Sequence, residues 1–296
     1  MSKGELSHWL MSQRSDFGPS EKLNLNSIST KKRTIAIASG KGGVGKTTAS
    51  LMLAKELVES GNKVLVIDCD YNLSNTAVKL GLPLSDNFYS LLSMKKDFSE
   101  CLHKEGDLHL LSGCNGNSDL FDTNFEHDKF IIDVIHEHGD EYDFILLDCP
   151  AGIGKETVNL AAYADYRFMI VNPDRSSITD TYALIKILKN KYSISENHLV
   201  VNRVSSQKQY LRVVKSLMDT VSTFLEGNVR VLGPVKFINI PVDEFDKGLR
   251  GAEKSSLHKY FSKIASKFTD ESTGLFENII NSNVKPSVEH EVQPTV

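Results

Sequence analysis

A chain of 296 residues with 40% hydrophobic content is long enough to bury one large core and does not call for a second domain. Its formal net charge of −4 argues against a protein that coats nucleic acid through its overall field. Cys69, Cys101, Cys114 and Cys149 form no C-x-x-C pair and follow no secretory leader, so reduced thiols in a cytosolic protein are expected, and no run reaches the roughly 18 apolar residues of a spanning helix.

Residues 1–32 are polar, with one apolar cluster at Leu6, Trp9, Leu10 and Met11. They read as a flexible arm whose cluster either binds a partner or docks back on the core. Residues 34–39 then predict a short buried strand and 47–57 an amphipathic helix. Between them Gly40, Lys41, Gly42, Gly43, Val44, Gly45, Lys46 and Thr47 make a complete P-loop in its strand–loop–helix setting. The chemistry needs this spacing: glycines let successive N–H groups turn inward around a phosphate, and the positive end of the helix faces the same anion. Lys46 would reach the β- and γ-phosphates of ATP, the Thr47 hydroxyl would ligate Mg²⁺, and Thr48 continues the cradle. Lys41 is an additional lysine. It is either a solvated loop residue or one that projects away from Lys46, toward the phosphates of a second subunit.

Further apolar runs fall at 64–67, 108–111, 144–147, 166–171 and 198–201, with a weaker one at 229–232. Continuous apolar strands alternating with helical segments predict an α/β fold: a single P-loop NTPase domain over 33–270, its sheet mostly parallel with helices on both faces. Ligands of such a sheet sit at the carboxyl ends of its strands. There the second strand ends in Asp68-Cys69-Asp70 and the fourth in Asp148-Cys149-Pro150-Ala151-Gly152. Asp148 has the form of a Walker B acid, holding Mg²⁺ through water. Asp68 is assigned to the outer shell of the same metal and Asp70 to orienting the attacking water, because alternate residues of an extended segment point the same way and one carboxylate rarely serves two oxygens. Gly152 would offer its N–H to the γ-phosphate and move when that phosphate leaves. His136 and His138 have no ligand partner at suitable spacing and read as solvated, so Mg²⁺ is the only metal expected.

Lys41 to Thr47 resembles the deviant Walker A of the MinD/ParA class, whose extra lysine crosses an ATP-sandwich dimer to the partner's phosphates. The resemblance spans residues 34–268 and includes both switches, the first at Asp68, Asp70 and Asn75, the second at Asp148 to Gly152. It implies an ATP-dependent homodimer and a catalytic part for Lys41 beside Lys46 and Asp70. The segment 172–186 and the loop Leu111 to Gly116 are similar to the flagellar branch of the class, FlhG, which implies an ATPase switch regulating flagellar number or placement. That branch engages the GTPase FlhF and basal-body components, but its N-terminal element for FlhF has only a loose counterpart at residues 4–14. By the same resemblance Asn202 hydrogen-bonds adenine, and Pro241, Val242 and Asp243 pack against the base.

The tail, 271–296, carries a short amphipathic segment with Leu275, Phe276, Ile279, Ile280 and Val284 on one face. Its polar face lacks lysines, so the expectation is weak, ATP-dependent contact at the inner face of the cell membrane. A second stripe, Leu257, Tyr260, Phe261, Ile264 and Phe268, is expected to pack in the core. Two other readings compete. One is a partition or division-positioning ATPase, for which nucleic-acid binding would need a local basic patch; the other is a metabolic P-loop enzyme, which has no need of Lys41.

Overall fold

The computed structural model describes residues 32–70, 76–83, 85–113, 126–239, 245–246, 249 and 256–283, with side chains through Asp270. Strand β1 (Arg33–Ala38) leads through the P-loop into α1 (Lys46–Glu59), then β2 (Val64–Asp68) and three short helices, α2 (Thr76–Leu80), α3 (Asn87–Leu92) and α4 (Phe98–Cys101). Next come β3 (His103–Glu105), β4 (Leu108–Leu111), α5 (His127–His138), β5 (Phe144–Asp148), α6 (Lys155–Tyr163), β6 (Tyr166–Val171) and α7 (Arg175–Tyr192). Strand β7 (Glu196–Val204), α8 (Gln207–Leu225), β8 (Asn228–Lys236) and α9 (His258–Asn283) complete the order.

The strands form one sheet in the order β3-β4-β2-β5-β1-β6-β7-β8, parallel except where β3 pairs with β4. Its two-sided cover follows from the period of the strands. Ile35 and Ile37 of β1, Phe144 and Leu146 of β5, and Phe168 and Ile170 of β6 face one cluster, with Leu53 and Leu57 of α1 and Phe261, Ile264 and Phe268 of α9. The residues between them, Ala36, Ile145, Leu147 and Met169 among others, face the opposite cluster, with Ile131 of α5, Val158 of α6, Leu184 of α7 and Leu217 of α8. The stripe from Leu257 to Phe268 is thus core packing, as its pattern predicts. The α/β architecture agrees with the sequence reading, while the exposed three-residue β3 and the full length of β8 go beyond it. Among the described residues no helix is long and apolar enough to cross a membrane.

The P-loop strand β1 lies between β5 and β6, where the chain changes direction of travel across the sheet, so the loop opens at a topological switch point. Beyond the described residues lie the arm with Trp9, Asn75 of the first switch, Cys114, and Pro241, Val242 and Asp243. The backbone of α9 runs on through residues 274–283, but the side chains of that segment are also outside the described set.

One core residue makes stability depend on pH. His198 of β7 is 4% exposed and sits among Tyr166, Phe168 and Phe268, with ring centroids 5.8, 5.5 and 5.7 Å away. Burial, and then the charges of Arg230 and Arg167, pull its pKa from 6.5 down to about 4. The unfolded chain therefore takes up a proton below 6.5 that the folded chain refuses until about 4. The stability that the neutral ring permits is present above pH 6.5 and is lost as pH falls through that window, by on the order of 3 kcal/mol in all. Denaturant unfolding of wild type and His198→Leu from pH 7.5 to 4 should show the difference shifting in favour of the variant by that amount. A constant difference would mean that His198 titrates normally.

Candidate functional site

Gly45 caps α1 in the left-handed region, with φ 101°, and no side chain caps the helix, so its first N–H groups face the loop. Gly43 also takes a positive φ, 73°. The loop is held from both sides. Ser39 Oγ donates to the Lys41 carbonyl at 2.7 Å and accepts from Lys46 Nζ at 3.1 Å. From the far side Asn202 Nδ2 donates to the Val44 carbonyl at 2.7 Å. Asn202 reaches the loop because the pairing of β7 with β8 shifts register between Val201 and Val204, leaving Arg203 at φ 54°. Such a bulge re-aims a side chain beside a site.

The acidic half comes from β2 and β5, whose last residues, Asp68 and Asp148, are register partners. Both are buried. Burial first, then the Asp68 carboxylate, hold the Asp148 carboxyl well above the usual carboxylate range, opposed by Thr47, Lys46 and Ser50. Ser50 Oγ lies 3.0 Å from Asp148 Oδ1. Asp68 Oδ2 accepts from the Thr76 hydroxyl at 2.6 Å and Oδ1 from the Asp70 amide at 3.1 Å, which ties Asp70 and the start of α2 to the end of β2. Lys46 has its pKa lowered by burial, while Asp148, Cys149 and Asp70 raise it. Two buried carboxylates side by side, next to Thr47, form a donor set that fits a hard divalent cation. Thr47, Asp68 and Asp148 would hold Mg²⁺, which when bound supplies charge neutralisation at the phosphate oxygens. The chain's own part would be to present the loop N–H groups and the Lys46 ammonium to the phosphates, with Asp70 close to Lys46.

Two predicted residues are found with partners that the sequence did not suggest. The Gly152 N–H donates to the Ser39 carbonyl at 3.0 Å. Lys41 Nζ is held within its own chain, 3.1 Å from Asp174 Oδ1 and 2.7 Å from Ser176 Oγ. Asp174 is the N-cap of α7, accepting from the Ser177 amide at 2.9 Å. Next to Gly152, Ile153 is 52% exposed on the surface.

A cavity of about 340 Å³ adjoins the loop, lined by Gly45, Thr48 and Asn202 together with Lys79, Arg203 and Phe237. Its size suits a purine nucleoside. Lys79, Arg203 and Phe237 were not singled out by the sequence, although Arg203 directly follows the predicted Asn202.

Fold and loop together define a P-loop nucleotide-binding domain. A family model described as an AAA domain matches residues 32–201. An uncharacterized ATP-binding protein of Methanocaldococcus jannaschii is 36% identical over 206 residues, 68% of this chain and 73% of its own length. The flagellum site-determining protein YlxH of Helicobacter pylori is 33% identical over 196 residues, 64% of this chain and 65% of its own. Among solved structures, the septum site-determining protein MinD of Pyrococcus horikoshii, complexed with Mg-ADP, superposes with a TM-score of 0.64 at 23% identity, covering 83% of this chain and 98% of that one. The chain belongs to this AAA-domain family as a MinD/ParA-type ATPase.

Proposed function

We propose that this ATPase is a nucleotide-gated switch that dimerises with ATP and regulates the number or placement of flagella at the membrane. The observation that carries the dimer is the position of Lys41. It is a second P-loop lysine, 42% exposed and paired with Asp174, the N-cap of α7. In this reading the Asp174 and Ser176 latch holds the monomer, and the lysine leaves it for the phosphates of a facing copy. Gly152 is the second moving part: its N–H would exchange the Ser39 carbonyl for the γ-phosphate and return when that group departs. Thr47, Asp68 and Asp148 hold Mg²⁺, Asp70 orients water, and Asn202 combines its bond to the loop with contact to the base. The flagellar role rests on the relative YlxH and on the 172–186 segment. FlhF or basal-body components are the partners it implies, and the tail supplies weak contact with the inner membrane face.

Light scattering with Mg²⁺ and a nonhydrolysable ATP analogue should show the mass doubling for wild type and staying monomeric for Lys41→Ala. Asp174→Ala, which removes one of the two contacts that hold the lysine, should dimerise at a lower analogue concentration. Cells lacking the protein should then show altered flagellar number or position with septa in place. Misplaced septa and normal flagella would instead favour the division-positioning role of its MinD relatives, and a monomer under all conditions would remove the switch.

A further inference from the structure

The last turns of α1 carry a second set of ligand atoms, roughly 15 Å along the helix from Lys46. Glu56 and Glu59 stand three residues apart on α1, and His258 begins α9 against them. One imidazole nitrogen and two carboxylate oxygens lie within 4.8 Å of one another. His258 Nδ1 is 2.5 Å from Glu56 Oε1, and the Glu56 side chain is only 5% exposed. A carboxylate taken this far out of water is stabilised by positive charge beside it, which a bound cation supplies.

We propose that Glu56, Glu59 and His258 bind one divalent transition-metal ion of the zinc class, separate from the Mg²⁺ of the nucleotide site. One imidazole with two carboxylates and no thiol suits Zn²⁺ or a neighbouring first-row ion, whereas Mg²⁺ and Ca²⁺ take oxygen ligands. Three protein ligands leave the fourth tetrahedral position to water. The geometry also says what the ion does: it clips the start of α9 to α1, just where Leu257 and Phe261 enter the core cluster that contains Leu53 and Leu57. A proton on His258 is the competing occupant. It makes a simple ion pair with Glu56 and requires nothing of Glu59, so Glu59 separates the two.

The test uses full-length protein stripped with a chelator and titrated with zinc chloride in the absence of nucleotide, followed by calorimetry and thermal unfolding. One equivalent should bind and raise the unfolding temperature. Glu59→Gln and His258→Gln, both at accessible positions, should each weaken binding tenfold or more and remove the thermal shift, while Asp148→Asn leaves both in place. Co²⁺ in place of zinc should give the visible absorption of a tetrahedral site, lost in the same two variants. Absence of binding, binding unchanged in either variant, or binding lost with Asp148→Asn would overturn the proposal.

Discussion

Gly40→Ala is expected to destabilise the protein by about 3–5 kcal/mol and to take nucleotide binding with it. The reason is the route of the chain as it leaves β1. Gly40 passes directly over α7, and a Cβ built there would overlap the backbone carbonyl of Asp180 and come within 2.6 Å of the Asp180 Cβ. A side-chain tip can swing away from such a clash, but helix backbone cannot. Helix α7 is itself fixed by Leu184, Ile185 and Leu188, all at most 1% exposed, so either the P-loop lifts or the helix loses its seat. Gly43 provides the control. Its φ is 73° and a Cβ there meets nothing within 4 Å, so alanine costs only the left-handed backbone, about 1 kcal/mol. Urea unfolding of the two variants beside wild type separates the mechanisms. Equal losses would mean that close approach to α7 is not what requires glycine at position 40.

That packing gives the segment after β6 a structural part beside the P-loop. Its residues are the bed on which the P-loop lies: Asp180 under Gly40, Asp174 and Ser176 around Lys41. The parts of the site legible in the sequence are those whose chemistry imposes a short spacing. The P-loop and the strand-ending Asp148 are of this kind, as are the apolar runs of β1, β2, β5 and β6, which must be continuous because both faces of the sheet are covered. What was not legible joins residues far apart in the chain. Lys41 meets Asp174 across 133 positions, and Asn202 meets the Val44 carbonyl across 158. No local period records such contacts. Strand β3 escapes for the opposite reason: its three residues are all exposed, and only pairing with β4 makes them a strand. Glu56 also reads as an ordinary polar residue of an amphipathic helix, and its contact with His258 comes from the far end of the domain.

Lys46→Ala should lower the rate of ATP hydrolysis by about 10²–10³-fold while leaving the fold intact. The Lys46 ammonium rests on Ser39 Oγ; burial lowers its pKa, and Asp148, Cys149 and Asp70 oppose that by favouring the charged form. It is therefore a preorganised charge. It is held by a hydroxyl whose own proton goes to the Lys41 carbonyl, and it need turn only from that oxygen to a phosphate oxygen. In phosphoryl transfer the protein contributes mainly position and charge, so removing this group removes a transition-state contact rather than a reacting atom. Arginine should not restore the rate, because its planar fork cannot take the place of a compact ammonium beside Ser39. Ser39→Ala should fall between wild type and Lys46→Ala, since it keeps the charge but loses its seat and loosens the loop at Lys41. Single-turnover phosphate release, with ADP affinity measured in parallel, checks the order. A wild-type rate in Lys46→Ala would mean that the second lysine, Lys41, carries the charge at the transition state, and the division of work between the two lysines would then have to be reversed.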